Sequence, residues 1–291
     1  MARPHIERYD LRAAPWRRVT LLGCARGLDG QVLSVDPASG AASLRLRLAR
    51  GLTRPGGYGD AELELYVLAG AIELGGARHG AGSYLCVPPG VALPPLASPR
   101  GAELLAFSNG GPPGFTASDS DHPSAARDGL IALDAAGALR WEAGGGYPAA
   151  RPGRLVKVLR SAPGSRALSC LIALAPQYRH EAIGYHDCAT ESYLIAGDYW
   201  SLQAGACAAG SYAWRPPWVN QGPARSERGA LLFLRSDAEL AEHLHLNPWS
   251  TPAENRARAA SRLASARPAL CAALGGRRAP RRARTRARAS R

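Results

Sequence analysis

Acidic residues are absent from the last stretch of this 291-residue chain: from Arg256 onward there are twelve arginines and no aspartate or glutamate. The formal net charge of +13 therefore sits almost wholly in the tail, and the preceding 255 residues carry only about +1. A near-neutral body lacks the basic face by which a folded nucleic-acid-binding domain declares itself. The six cysteines (Cys24, Cys86, Cys170, Cys188, Cys207 and Cys271) form no C-x-x-C pair, which excludes a zinc ribbon or a thioredoxin-like motif. No apolar run approaches the roughly 18 residues of a membrane helix. The opening "MARPHIERYDLRAAPWRR" carries charges where a secretory leader is apolar. These absences lead to the expectation of a cytoplasmic protein with reduced thiols.

What is present is a repeat. "PGGYGDAELELYVLAGAIEL" (55–74) has Tyr58, Asp60, Glu64, Tyr66, Ala69 and Gly70 where "IGYHDCATESYLIAGDYW" (183–200) has Tyr185, Asp187, Glu191, Tyr193, Ala196 and Gly197, each pair 127 residues apart. "AGSYLCVPPGV" (81–91) matches "AGSYAWRPPWV" (209–219), and "SPRGAELLAF" (98–107) matches "SERGALLFLR" (226–235), both at an offset of 128. A period this long means a duplicated domain, because solenoid repeats are far shorter.

Within each copy the apolar runs are four to eight residues long and separated by Gly, Pro, Ser and Asp clusters, and "SLRLRL" alternates strictly. Such runs read as strands, so each half is expected to be an all-β sandwich or barrel. The polar, turn-rich segment "GGPPGFTASDSDHPSAARDG" (110–129) marks the join. The expected organisation is a first domain over 1–115, a linker over 116–130, a second domain over 131–245, and a helix with an Arg/Ala-rich tail over 246–291. Thr251 as N-cap, Pro252 at the first helical position and Glu254 three residues on give that helix its start.

Both halves resemble cupin domains, which would make the chain a bicupin of tandem jelly-roll β-barrels with a disordered basic tail. "HDCATE" supplies a histidine, a four-residue spacer and a glutamate, as in the first cupin motif, G(X)5HXH(X)3-4E(X)6G. "GSYAWRPPWVNQGP" supplies the glycine and proline of the second motif, G(X)5PXG(X)2H(X)3N, in a form that also resembles ChrR-type cupins and related bacterial bicupins. The resemblance covers residues 15 to 236 and implies a metal held by two histidines and a glutamate from the first motif and a histidine from the second. Here the C-terminal copy has Gly184, His186, Glu191 and Gln221 at those positions, and the N-terminal copy has Gly57, Gly59, Glu64 and Leu93. Counted back from Gly197 rather than forward from His186, the carboxylate position falls on Thr190.

On this reading His186, Glu191 and Gln221 are the candidate ligands of one divalent ion (Fe, Mn, Ni or Zn) in the C-terminal barrel, and none is expected in the N-terminal barrel. The competing reading is a hydrogen-bonded His186–Glu191 pair in a pocket that binds an organic molecule. Tyr185, Cys188, Tyr193 and Trp214 are candidate ligand-pocket residues, with core packing as the alternative. His243 and His245 read as surface residues. Three functions follow: a cupin enzyme of the dioxygenase or isomerase kind acting on a small molecule, a non-catalytic binding or sensing module, and an arginine-rich arm contacting nucleic acid without sequence preference. No membrane span is expected, and a homodimer is compatible with the sequence.

Overall fold

In the computed structural model, the protein is described over residues 3–134, 137–143, 151–162 and 164–245, with positions 253, 254, 257 and 261 beyond. Those four isolated positions are helical, and the rest of the anticipated helix and the arginine-rich tail lie outside the described residues. Antiparallel strands dominate, and among the described residues of the folded body the helix is a single 3-10 turn over Arg127–Gly129. Among the described residues no helix is long and apolar enough to cross a membrane.

Two large sheets repeat one another strand for strand. One runs Ser83–Val87, Glu62–Leu74, Ala102–Asn109, Ala42–Leu48, Leu28–Val35, and the other runs Ser211–Arg215, Thr190–Ser201, Ala230–Ser236, Leu168–Leu174, Arg154–Ser161. The strand that precedes each set crosses to the other. Ile6–Asp10 pairs with Ser211–Arg215 in the second sheet, and Ile131–Asp134 pairs with Ser83–Val87 in the first. Each exchanged strand satisfies backbone groups that an edge would leave open.

The duplicated glycines explain a further shared irregularity. Gly70 has φ +72 and Gly197 has φ +84, a region that L side chains rarely adopt, and a Cβ on either would collide with the carbonyl of Gly101 or Gly229 on the neighbouring strand. A register shift accompanies each, between Glu103 and Leu104 in one sheet and between Leu194 and Ala196 in the other.

Period-two alternation then sorts side chains of the described residues into several clusters, of which three are large, with a small one of Val87, Val91 and Leu93 beside them. Leu65, Val67, Leu85 and Leu104 pack in a cluster belonging to the first half, and Cys170, Ile172, Cys188 and Leu194 in one belonging to the second. The opposite faces of the same strands meet in a third cluster, where Leu33, Tyr66, Tyr84 and Phe107 from the first half pack on Leu159, Tyr193, Tyr212, Trp214 and Phe233 from the second. Phe107 stacks on Phe233 with centroids 5.4 Å apart, and Tyr66 lies 5.2 Å from Phe233. Burial of each such aromatic contributes about 1.5–3 kcal/mol, so this shared face joins the halves firmly.

Candidate functional site

The two motif glutamates are buried, at 0% exposure for Glu64 and 6% for Glu191. They face the shared core. In register, Glu64 lies opposite Cys86 and Phe107, and Glu191 opposite Trp214 and Arg235, all on the face that carries the aromatic cluster. Ser192 and Leu194 occupy the other face of the same strand and line the cavity of the second half.

One arginine holds both carboxylates. Arg235 Nη1 donates to Glu191 Oε2 at 2.8 Å, while its Nη2 and Nε donate to Glu64 Oε1 at 2.7 and 3.2 Å. Nη2 also reaches Asn109 Oδ1 at 2.7 Å, and the guanidinium lies 4.4 Å from the Phe107 ring centroid. Tyr84 and Ser169 hydroxyls donate to Glu64 Oε2 at 2.6 and 2.5 Å, and the Tyr212 hydroxyl to Glu191 Oε1 at 2.7 Å. Burial alone would push the Glu64 carboxyl up. The charge of Arg235 and the two hydroxyl donors outweigh it and hold the group at about 2. Arg3 and Arg160 extend the cluster, which borders a cavity of about 730 Å³ lined from both halves.

A second cavity, of about 140 Å³, lies within the C-terminal sheet. Ile172, Leu174, Leu194 and Leu232 give it an apolar wall, and among the described residues Arg8, Arg151, Arg154 and Arg215 face it against Glu7 and Glu242. Arg151 pairs with Glu242, and Arg215 Nη2 with Glu7 Oε2 at 2.8 Å. Burial tends to raise the Glu242 carboxyl, but Arg151 overrides it and holds the group below its ordinary range. Burial and the nearby Arg151 charge push the His180 imidazole down. Glu7 comes from the exchanged Ile6–Asp10 strand, so the N-terminus of the chain completes this site.

The residues singled out from the sequence divide between these places. His186 and Gln221 line the C-terminal cavity, whereas Glu191 and Trp214 line the larger one, as does Thr190. His186, Glu191 and Gln221 therefore do not form the three-ligand face anticipated from their spacing, because alternation turns Glu191 away from the interior. Tyr185 is fully buried and stacks on His243 at 5.1 Å, Cys188 is enclosed in the C-terminal core, and Tyr193 belongs to the shared core. Burial raises the Cys188 thiol, which removes it from reactive chemistry at neutral pH. His243 is not a surface residue: it sits in the Glu242–His245 strand with its Nε2 3.3 Å from the buried Asp187 carboxylate.

These donors do not fit a resident metal ion. His186 Nδ1–H donates to the Ala241 carbonyl at 2.9 Å and burial keeps the ring neutral, a tautomer suited to ligation. Yet Glu242 is committed to Arg151 and Glu191 to Arg235 and Tyr212, and among the described residues no group of three His, Cys, Asp or Glu side chains converges.

The sequence reading missed Arg235, Arg151, Arg154 and Arg215. Arg235 had a signal. At the offset of 128 it replaces Phe107, a charge inserted at an apolar strand position of one copy only.

A family model described as "Domain of unknown function (DUF4437)" matches residues 15–243. Among solved structures, a protein from Nostoc punctiforme PCC 73102 provisionally described as a dioxygenase superposes with a TM-score of 0.76 at 21% identity, covering 84% of this chain and 92% of that one. Protein YlbA from E. coli, of family DUF861, gives 0.56 at 16% identity, covering 79% of this chain and 89% of that one. A single-site tryptophan-to-tyrosine variant of the oxalate decarboxylase of Bacillus subtilis gives 0.55 at 14% identity, covering 83% of this chain and 80% of that one. These neighbours are cupin-type jelly-roll proteins, and at such identities the likeness is one of fold. No curated protein matches the sequence.

Proposed function

The chain belongs to the family described as Domain of unknown function (DUF4437), and from that premise we propose that it is a bicupin whose C-terminal barrel binds a small organic anion. The observation that carries this reading is the charge of the C-terminal cavity: four arginines against two glutamates around an apolar wall. Such a lining favours a carboxylate at the arginine end and an apolar body against Ile172, Leu174, Leu194 and Leu232. His186, held neutral with its Nδ1–H anchored on Ala241, offers Nε2 as an acceptor, and the Gln221 amide adds a neutral polar group. Together they would orient a hydroxyl or amide on the same ligand. The non-catalytic binding role, of which ChrR-like sensing is one form, needs no more than this.

Dioxygenase- or isomerase-like chemistry would draw on a divalent ion, as in the Mn(II) centres named for Bacillus subtilis oxalate decarboxylase. The donor set of this chain does not fit such an ion.

Thermal unfolding in the presence of phenyl-bearing or branched carboxylates, matched amines and neutral amides tests the binding reading. Selective stabilisation by carboxylates, lost in Arg154→Met and Arg215→Met, is expected. Equal response to all three classes, or retention in both variants, contradicts it.

A further inference from the structure

The N-terminal half holds a buried cation of its own. Arg54 ends the Leu52–Arg54 strand and is 6% exposed. Its Nη1 reaches the Leu22 carbonyl at a long 3.4 Å, and its Nε and Nη2 have no hydrogen-bond partner among the described residues. The guanidinium lies 4.5 Å from the Phe115 ring centroid, and no carboxylate pairs with it among the described residues. Two small cavities of about 20 Å³ each flank it, sharing Leu22, Leu63 and Leu93 as walls.

An isolated charge in such surroundings is costly, and a cation–π contact with one ring offsets only part of that cost. Arginine does not escape by losing its proton at neutral pH. The Leu22 carbonyl and the Tyr58 and Ser108 hydroxyls along these walls are neutral and no aspartate or glutamate lines either cavity, so a balancing negative charge has to come from outside the described residues. Adjacent Nε–H and Nη2–H donors form the fork that pairs with an anion, and about 20 Å³ admits a species the size of a water molecule or slightly larger. The duplication supports a ligand-facing role. Arg54 stands 126 residues before His180, which lines the C-terminal cavity, and each ends a short strand paired with an equivalent partner, Leu96–Ser98 or Ala224–Ser226.

We propose that the N-terminal half binds one small monoanion, a halide or formate, on Nε and Nη2 of Arg54. This site is separate from the C-terminal cavity and does not rest on the function proposed for it.

Thermal unfolding of the full-length protein at constant ionic strength, exchanging gluconate for bromide or formate, tests the proposal. The expected result is a saturable rise in Tm of about 2–4 °C at several times the dissociation constant, absent in Arg54→Met and retained in Arg151→Met. No anion dependence in the wild type, equal dependence in Arg54→Met, or loss only in Arg151→Met overturns it. Should Arg54→Met fail to fold, bromide-containing crystals of the wild type decide. An anomalous peak beside Nε and Nη2 supports the site, and a water or nothing there refutes it. Bromide against formate separates a halide site from a carboxylate site.

Discussion

Replacing Arg235 with methionine removes the one side chain that bonds both motif glutamates. Arg235 makes three charge-assisted contacts with Glu64 and Glu191 and a fourth bond to Asn109, all in the shared core. Methionine keeps much of the packing on Phe107 but leaves two buried carboxylates without their shared counter-charge. Breaking a buried ion pair from one side costs about 3–5 kcal/mol, because the surviving charge stays desolvated. The expected loss in urea unfolding at pH 7 is therefore about 3–5 kcal/mol, or roughly 6–20 °C in Tm for a chain of this size. Part of the loss should disappear at acidic pH, where the stranded Glu64 carboxylate escapes by binding a proton. Glu64→Gln and Glu191→Gln added to Arg235→Met should recover more than half of it, since a neutral network needs no cation. A loss below about 1 kcal/mol at pH 7, or a triple variant less stable than Arg235→Met alone, would refute the assignment of Arg235 as the joint between the halves.

Other consequences are open to the same methods. Glu64, held at about 2 against an ordinary 4.5, contributes stability that is complete above pH 4.5 and is lost as pH falls toward 2; Glu64→Gln should flatten the stability profile across that window, and an unchanged profile would contradict the burial and pairing described here. Deleting residues 1–10 removes the Ile6–Asp10 strand and the Glu7–Arg215 and Arg3–Ser43 contacts, so Tm should fall and sedimentation should show self-association through the bared Ser211–Arg215 edge. An unchanged Tm in a monomer would mean that the exchanged strand contributes nothing. Tyr212→Phe removes one donor to Glu191 and should cost about 1.5–3 kcal/mol by urea unfolding, with little change counting against that bond.

Much of the fold could be read before any coordinates. The offset of 127 residues, the short punctuated runs and the alternation in "SLRLRL" together point to a duplicated all-β sandwich or barrel, and the structure has two sheets that repeat in the same strand order. The destination of the short Ile6–Asp10 strand could not be read, because five residues with mixed burial carry no mark of the sheet they join. The site was legible in part. Glu64 and Glu191 stood out as a duplicated carboxylate inside apolar strands, and both are buried. Which face they occupy was ambiguous, since the register shift between Leu194 and Ala196 resets the count back from Gly197. Choosing the wrong parity exchanges the barrel interior for the shared core. The arginines of the C-terminal cavity come from distant strands and loops, and no local spacing brings Arg8, Arg151 and Arg215 together.

The central claim is that the glutamate of the duplicated motif serves the junction of the two halves and is no metal ligand. Elemental analysis of wild type, His186→Ala and Glu191→Gln after exposure to Fe, Mn, Ni and Zn tests it most directly. The expected result is a metal content that does not respond to Glu191→Gln, alongside a loss of stability in that variant. Near-stoichiometric metal in the wild type that disappears in both variants would contradict it.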